Sequence, residues 1–229
     1  MIKIYSHPRS GTHFLEAFVA ENFYPGKDLS SNGAIYYGHW SHKKLLEEGE
    51  PYHQLFGSHY FPEELNFKKN EYKIYIYRDV RAVIASIYNS GFYDLKKHPD
   101  LSFSEFLRMD IDWYGGLGRE RLGNLNIVQH WYKHVDGWLQ INDKNLLIIR
   151  YEDLKLEPHK TYDRIIKKFF KHRRLLNLFT GKKIKIINHK VGLNPNSATI
   201  DSWKNLFSDS DLDFVFKNLP SNKYLYNEV

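Results

Sequence analysis

Tyr5-Ser6-His7-Pro8-Arg9-Ser10-Gly11-Thr12-His13-Phe14-Leu15 lies between two segments of different periodicity. Before it, Ile2-Lys3-Ile4-Tyr5 is a short β-rich run; after it, Phe14-Leu15-Glu16-Ala17-Phe18-Val19-Ala20 spaces its apolar residues for a helix. A strand, a short polar loop with Pro and Gly, and then a helix is an arrangement in which backbone N–H groups at a helix start hold phosphate. Gly11 lets the backbone approach an anion closely, and Ser10 and Thr12 add hydroxyl donors. Arg9 adds a permanent positive charge. The kinase and ATPase loop G-x-x-x-x-G-K-[ST] is not met, because no Lys follows Gly11. Taken alone, the Ser-Gly-Thr turn also reads as an ordinary helix N-cap.

The chain has 229 residues, which fits one large domain or a domain with a substantial insertion. Apolar residues make up 42%, enough for a real core, and 17 Tyr and 15 Phe raise the aromatic share to 16%. No apolar run reaches the roughly 18 residues of a membrane span. Met1 leads directly into a strand and leaves no room for a signal or transit peptide, so the expected location is cytoplasmic. With no Cys, disulfides and thiolate metal sites are excluded. The formal net charge of +6 suits an anionic ligand. Much of it sits in 167–174 and 181–185, which also read as a solvated helix face. No RNA-binding signature, zinc-finger spacing or metal-ligand cluster is present, so no nucleic acid and no metal are expected.

Further along, 22–54 alternates turns with short apolar pieces, and 41–48 reads as a short helix with Ser41 as its cap. Gln54-Leu55-Phe56-Gly57-Ser58-His59 is a buried strand ending on polar residues, and Pro62 follows. In open α/β sheets, reactive groups sit beyond the carboxyl ends of strands, and His59 falls at such a place. Tyr72-Lys73-Ile74-Tyr75-Ile76-Tyr77 is the clearest strand; it ends in Arg78-Asp79 and leads into a helix over 80–88 with one apolar face. Two helical turns bring Ser86 back toward the strand end, where Arg78 supplies a planar fork and Ser86 a compact hydroxyl. Pairing of Arg78 with Asp79 is the competing reading. An apolar helical stripe covers 124–139, with Trp131 and Trp138 assigned to packing. Asn145-Leu146-Leu147-Ile148-Ile149-Arg150 is another buried strand, followed by Tyr151-Glu152-Asp153-Leu154 and a helix over 158–170. Near the end come Asn188-His189-Lys190-Val191-Gly192, then Asp201-Ser202-Trp203-Lys204-Asn205-Leu206-Phe207, and Ser208 caps a last helix over 212–219.

Together these motifs resemble the sulfotransferases that use 3′-phosphoadenosine 5′-phosphosulfate (PAPS), and they cover nearly the whole chain. Pro8-Arg9-Ser10-Gly11-Thr12 is similar to the family's phosphosulfate loop, with Arg9 where many members have Lys. Gly57-Ser58-His59 stands where the family has Lys-Thr-His, so the Lys is replaced by Gly57. Arg78 with Ser86 matches the pair that binds the 3′-phosphate, and Trp203-Lys204-Asn205-Leu206-Phe207 keeps the family's Trp-Lys-Asn-x-Phe. The resemblance implies an α/β fold, a single domain over 1–229 with a mainly parallel central sheet flanked by helices, P-loop NTPase-like, and an acceptor-binding helical and loop region at about 89–145.

What the resemblance implies for function is sulfuryl transfer from PAPS to a hydroxyl or amine acceptor, leaving 3′-phosphoadenosine 5′-phosphate (PAP), without a metal. His59 is then the general base, and Arg9, with the loop N–H groups, stabilises charge growing on the leaving phosphate oxygen. Arg9, Ser10, Gly11, Thr12 and His13 hold the 5′-phosphosulfate, and Phe14 stands where relatives often stack a Trp on the adenine. Arg78, Ser86, Lys190 and Gly192 hold the 3′-phosphate, and Tyr151 contacts the adenine. Phe92, Tyr93, Trp113 and Tyr114 are candidates to line an acceptor site for a small molecule or a saccharide. Two other classes stay open at this point: a P-loop kinase-like phosphotransferase, and a non-catalytic module that binds adenosine bisphosphate or a polyanion. Acceptor identity and oligomeric state are not legible.

Overall fold

Each of the four clearest apolar runs forms a strand, and all four strands run parallel. A computed structural model describes residues 2–24, 55–67, 69–90, 100–111, 124–170, 183–188, 200–221 and 225. Strands β1 (Ile2–Ser6), β2 (Phe56–Ser58), β3 (Tyr72–Tyr77) and β4 (Leu146–Arg150) form one sheet in the order β2-β1-β3-β4. Parallel neighbours require crossover connections. Among the described residues these carry α1 (Thr12–Phe23), a single 3-10 turn (Pro62–Glu64), α2 (Val80–Asn89), α3 (Phe103–Arg108) and α4 (Ile127–Leu139). After β4 come α5 (Tyr151–Leu156), α6 (Pro158–Phe169) and α7 (Asp209–Asn218). The α/β class with a mainly parallel sheet and flanking helices is therefore the one observed. The expected helix over 41–48 and the aromatics Phe92, Tyr93, Trp113 and Tyr114 lie outside the described residues.

The chain divides into two compact units, each made of two stretches: 1–77 with 137–195, and 78–136 with 196–229. In the first unit, strand alternation sends the apolar residues to two buried faces. On one face Ile2, Ile4, Ile74, Ile76 and Ile149 meet Leu15, Phe18 and Val19 of α1 and Ile165, Ile166 and Phe169 of α6. Phe23 closes this core by stacking on Tyr162 and Phe170, with centroids 5.0 and 5.1 Å away. The α6 residues off this face include the exposed Lys160, Arg164 and Lys167, so that part of the basic run is a solvated helix face. On the other sheet face the Trp138 indole stacks on Tyr75 at 4.9 Å, packs against Tyr5 at 4.7 Å, and donates its N–H to the Tyr60 carbonyl at 3.2 Å. Lys73 points to the same side and is buried, so its ammonium needs partners. It finds the Asp143 carboxylate at 2.9 Å, the Glu71 carbonyl at 3.0 Å and the face of Phe67 at 4.9 Å.

The second unit departs from the sequence pattern in one respect. One apolar face was expected on the helix after β3, yet every residue from 80 to 87 in α2 is buried. The small side chains of Ala82, Ala85 and Ser86 make this possible, because they let neighbours approach the side that periodicity leaves polar. Helix α4 begins at Ile127 rather than 124: the Asn126 side-chain oxygen Oδ1 accepts the Gln129 N–H at 3.0 Å and the Gln129 side-chain oxygen Oε1 accepts the Asn126 N–H at 3.2 Å. Ser208 caps the last helix as expected, and the helix starts directly after it, at Asp209.

Asp211 is the polar hub of this unit. Its carboxylate accepts hydrogen bonds from Ser104 Oγ at 2.6 Å, Arg108 at 2.6 Å and Ser208 Oγ at 2.7 Å, which ties α7 to α3. Burial raises the pKa, but these donors outweigh it and hold the carboxyl down at about 2. A depressed carboxylate stabilises the fold above the unfolded value of about 3.9 and loses that contribution as pH falls through the folded value. Asp211→Ala is therefore expected to cost about 3 kcal/mol in urea unfolding at pH 7, with the gap to the wild type closing as pH falls through about 2.

Candidate active site

Strand β1 ends at Ser6, and the following residues turn sharply into α1. The His7 carbonyl accepts the Ser10 N–H at 3.3 Å and the α1 ladder starts with Leu15 N–H to Gly11 C=O at 3.0 Å. Arg9 has φ 64 and Gly11 φ 90, while Ser10 between them keeps a negative φ. Backbone of alternating hand turns successive N–H groups toward a common centre, the geometry of an anion nest. A left-handed Arg is uncommon and costs of order 1–3 kcal/mol, which makes the strain itself a pointer to function. Gly11 occupies the N-cap position without a side-chain cap, so the reading of Ser-Gly-Thr as a plain capped turn does not hold.

Two details bear on what the loop can hold. Ser10 is fully buried, and its Oγ has no hydrogen-bond partner among the described residues. A buried hydroxyl left in that state costs roughly 1–3 kcal/mol, which an anion oxygen would offset. A Cβ on Gly11 would stand 2.2 Å from Cδ2 of Tyr151, so the buried Tyr151 ring lies flush against the loop backbone. Phe14 meets that ring edge-on at 5.9 Å, and Lys155 Nζ lies 5.0 Å from the Phe14 centroid. The expected aromatic pair of Phe14 and Tyr151 is thus assembled beside the loop. Glu152 and Asp153 turn to different arginines, Arg150 at 3.7 Å and Arg164 at 3.5 Å, and do not form a carboxylate pair.

His13 sits in the first turn of α1 with Nδ1 2.8 Å from Glu16 Oε2. Burial pulls its pKa down and Arg9 does the same, but the hydrogen bond and charge of Glu16 outweigh both, leaving it above the ordinary value. In its protonated form, which Glu16 favours, the imidazole adds to the positive field of Arg9 and the α1 N-terminus.

His59 reaches the loop through an irregularity in β2. Ile4 pairs with Phe56, but the next residue, Tyr5, pairs with Ser58, so Gly57 is an extra residue on β2. This bulge advances the register by one and brings His59 beside Ser6. Nδ1 lies 2.7 Å from the Ser6 carbonyl oxygen and 3.1 Å from Ser6 Oγ. A carbonyl only accepts, so the Nδ1–H donates, and the neutral ring carries its lone pair on Nε2. Ser6 Oγ in turn lies 2.6 Å from Thr12 Oγ1. Ser6 carries no signal of its own in the sequence; its place directly before the loop, at the end of a strand, was the available hint.

Arg78 and Ser86 belong to the second unit, and both are buried. Asp79 grips Arg81: both Asp79 carboxylate oxygens accept from it, at 3.0 and 2.7 Å, and Oδ1 also accepts the Arg81 N–H at 2.8 Å. The Arg81 guanidinium lies 4.0 Å from the centroid of the Trp203 ring, so Trp203 anchors its motif by packing on a cation. Lys190 and Gly192 lie outside the described residues. Among the described residues no group of three or more His, Asp or Glu side chains could hold a metal ion, and no helix is long and apolar enough to cross a membrane.

A phosphate-type loop thus follows the carboxyl end of the central parallel strand β1, and a histidine is held against it. The sulfotransferase domain family matches the chain over residues 2–215, and the chain belongs to that family. It is 25% identical over 193 residues to the 3-alpha-hydroxysteroid sulfotransferase of Cavia porcellus, covering 79% of this chain and 58% of that protein. It is 30% identical over 129 residues to Sulfotransferase 2A1 of Macaca fascicularis, covering 54% of this chain and 40% of that protein. The chain therefore spans less than two thirds of the length of these curated relatives. Among solved structures, mouse sulfotransferase SULT7A1 complexed with PAP superposes with a TM-score of 0.58 at 18% identity, over 97% of this chain and 85% of that one. Retinol dehydratase in complex with androsterone and the inactive cofactor PAP superposes with a TM-score of 0.60 at 16% identity, over 100% of this chain and 83% of that one. These likenesses show a common fold.

The two glycines of the first unit whose surroundings are described should respond oppositely to substitution. Gly11→Ala combines a left-handed φ with a collision against Tyr151 and is expected to destabilise by more than about 1 kcal/mol. Gly137→Ala, inside α4, would place its Cβ at an ordinary 3.4 Å from Pro62 and is expected to stabilise by about 0.5–1 kcal/mol. Chemical denaturation of both variants checks the pair.

Proposed function

We propose that the chain is a PAPS-dependent sulfotransferase that transfers a sulfuryl group to a hydroxyl or amine acceptor, with His59 as the general base. The observation that carries the reading is the His59 hydrogen bond to the Ser6 carbonyl, which leaves the base lone pair on Nε2 beside a nest-like loop with an orphaned buried hydroxyl. Family membership and the PAP held in two superposing structures support the same donor.

PAPS, when bound, supplies an activated sulfuryl group on a phosphate leaving group. Arg9, Ser10, Gly11, Thr12 and His13 hold its 5′ end, and Phe14 and Tyr151 receive the adenine. Arg78, Ser86, Lys190 and Gly192 hold the 3′-phosphate, as the family resemblance assigns them. His59 Nε2 takes the proton of the acceptor as its oxygen or nitrogen bonds to sulfur. The bond from sulfur to the 5′-phosphate breaks, and its electron pair stays on the phosphate oxygen, where Arg9 and the loop N–H groups stabilise the charge. Cationic side chains and backbone dipoles carry this electrostatic work. Residues 89–145 contribute the acceptor region of what is read as one sulfotransferase domain over 1–229. The acceptor is a small molecule or a saccharide, and the cytoplasm is the location that fits a cytosolic nucleotide donor.

The test is transfer from labelled PAPS to a panel of phenols, alcohols, amines and sugars, with ATP and magnesium as the control donor. His59→Ala is expected to lower turnover by roughly 10²- to 10⁴-fold while PAP binding, measured by calorimetry, persists. Arg78→Ala is expected to weaken PAP binding roughly tenfold or more. Full activity in His59→Ala removes the assignment of the base, and transfer from ATP alone removes that of the donor.

A further inference from the structure

We propose that Ser6 is a positioning residue that couples the general base to the donor loop, through its carbonyl and its hydroxyl together. The inference rests on the reading of His59 as the base and goes on to the group that aims it.

Ser6 is fully buried at the end of β1, where β2 lies on one side and β3 on the other. Its backbone is therefore held by the sheet, and a side chain bonded to it inherits that rigidity. Three short contacts converge on this one residue. His59 Nδ1 lies 2.7 Å from its carbonyl and 3.1 Å from its Oγ, and Thr12 Oγ1 lies 2.6 Å from its Oγ.

The Nδ1 proton position follows from what each atom can do. The carbonyl accepts only, so Nδ1 carries the hydrogen. A protonated Nδ1 cannot accept, so its contact with Ser6 Oγ is the second branch of the same donated bond. Ser6 Oγ thus accepts from His59; either hydroxyl can donate in the contact between Ser6 Oγ and Thr12 Oγ1, and the proposed arrangement has Ser6 donate to Thr12. Thr12 then accepts from Ser6 and keeps its own proton to give to an anion in the loop. Every donor points the same way, from the base toward the donor site.

This direction matters during the reaction. When His59 Nε2 takes the acceptor proton, the ring becomes an imidazolium and its Nδ1–H becomes a stronger donor. The chain of hydroxyls is polarised in the same sense, and Thr12 becomes a better donor just as negative charge builds on the leaving phosphate. No proton has to travel along the chain. The acceptor proton stays on Nε2, and the hydroxyls only reorient charge.

The sequence places Ser6 and His59 53 residues apart, and the Gly57 bulge is what brings them together. Thr is the one other side chain that keeps a hydroxyl on the same Cβ, so Ser6→Thr is the conservative variant and Ser6→Ala the disruptive one.

The experiment compares wild type, Ser6→Ala, Ser6→Thr and His59→Ala for kcat, donor KM and the pH profile of kcat, with PAP affinity measured by calorimetry. Ser6→Ala is expected to lower kcat roughly tenfold to hundredfold, with donor KM and PAP affinity changing by less than about threefold. Loss of an acceptor of the Nδ1–H disfavours the imidazolium, so the acidic limb of the kcat profile moves to lower pH. Ser6→Thr restores both kcat and the limb. A long-range proton–nitrogen spectrum of the wild type, with His59 assigned by its absence in His59→Ala, is expected to show the Nδ1-protonated tautomer; this measurement stands even if Ser6→Ala does not fold. The Nε2-protonated tautomer overturns the inference. So does a Ser6→Ala enzyme with wild-type kcat and an unmoved acidic limb, or a Ser6→Thr enzyme no better than Ser6→Ala. If the wild type transfers and Ser6→Ala matches it, only this inference falls. A wild type that transfers nothing overturns the functional reading and this one with it.

Discussion

The pairing of β1 with β2 across one extra residue is the constraint on which the candidate site depends. Two parallel strands in uninterrupted register would present the residue after Ser58 to the opposite side of the pleat. With Gly57 inserted, His59 comes alongside Ser6, and the ring is captured by a carbonyl that the sheet already holds rigid. The Lys that sulfotransferases more often carry two residues before this His is absent here, and its position is the one the bulge uses. Positive charge at the loop then comes from Arg9 and from the start of α1, and from His13 when it is protonated, the form that Glu16 favours.

The loop itself is expensive in free energy. A left-handed Arg9, an orphaned Ser10 hydroxyl and a glycine pressed against Tyr151 would each destabilise a chain that had no use for them. The surrounding packing tolerates them because β1 and α1 are the best-buried elements of the first unit, with Ile4, Leu15 and Val19 wholly inaccessible. An anion that accepted from Ser10 and the helix-start N–H groups would relieve part of this strain on binding, so ligand affinity and loop order are linked.

In the second unit the same logic is applied to buried charge. Arg81 is buried in a helix that is buried on all sides, and it survives there because Asp79 takes it in a bidentate grip while Trp203 covers its face. This links the strand-end motif containing Arg78 to the Trp-Lys-Asn-x-Phe motif more than a hundred residues away. Asp211 does the equivalent for α3 and α7. Removing one partner of such a pair leaves an uncompensated charge, which is why these residues organise the unit even where they touch no ligand.

Periodicity and punctuation were enough to read the strands that the structure places at 2–6, 72–77 and 146–150, the helix start capped by Ser208, and the loop between β1 and α1, because those signals are local and each is encoded within a few residues. The loop residues, His59 and Tyr151 were legible for the same reason, helped by a family resemblance that linked motifs far apart in the chain. Three features were not legible. The burial of α2 on every side depends on what packs against its small residues; the grip of Arg81 on Asp79 and Trp203 spans the chain; and the Ser6–His59–Thr12 contacts depend on a one-residue slip between strands. Local sequence encodes which element forms, but register and side-chain partnership between distant segments are fixed by the packing of the whole, and it is those that turn a phosphate loop and a stray histidine into a site.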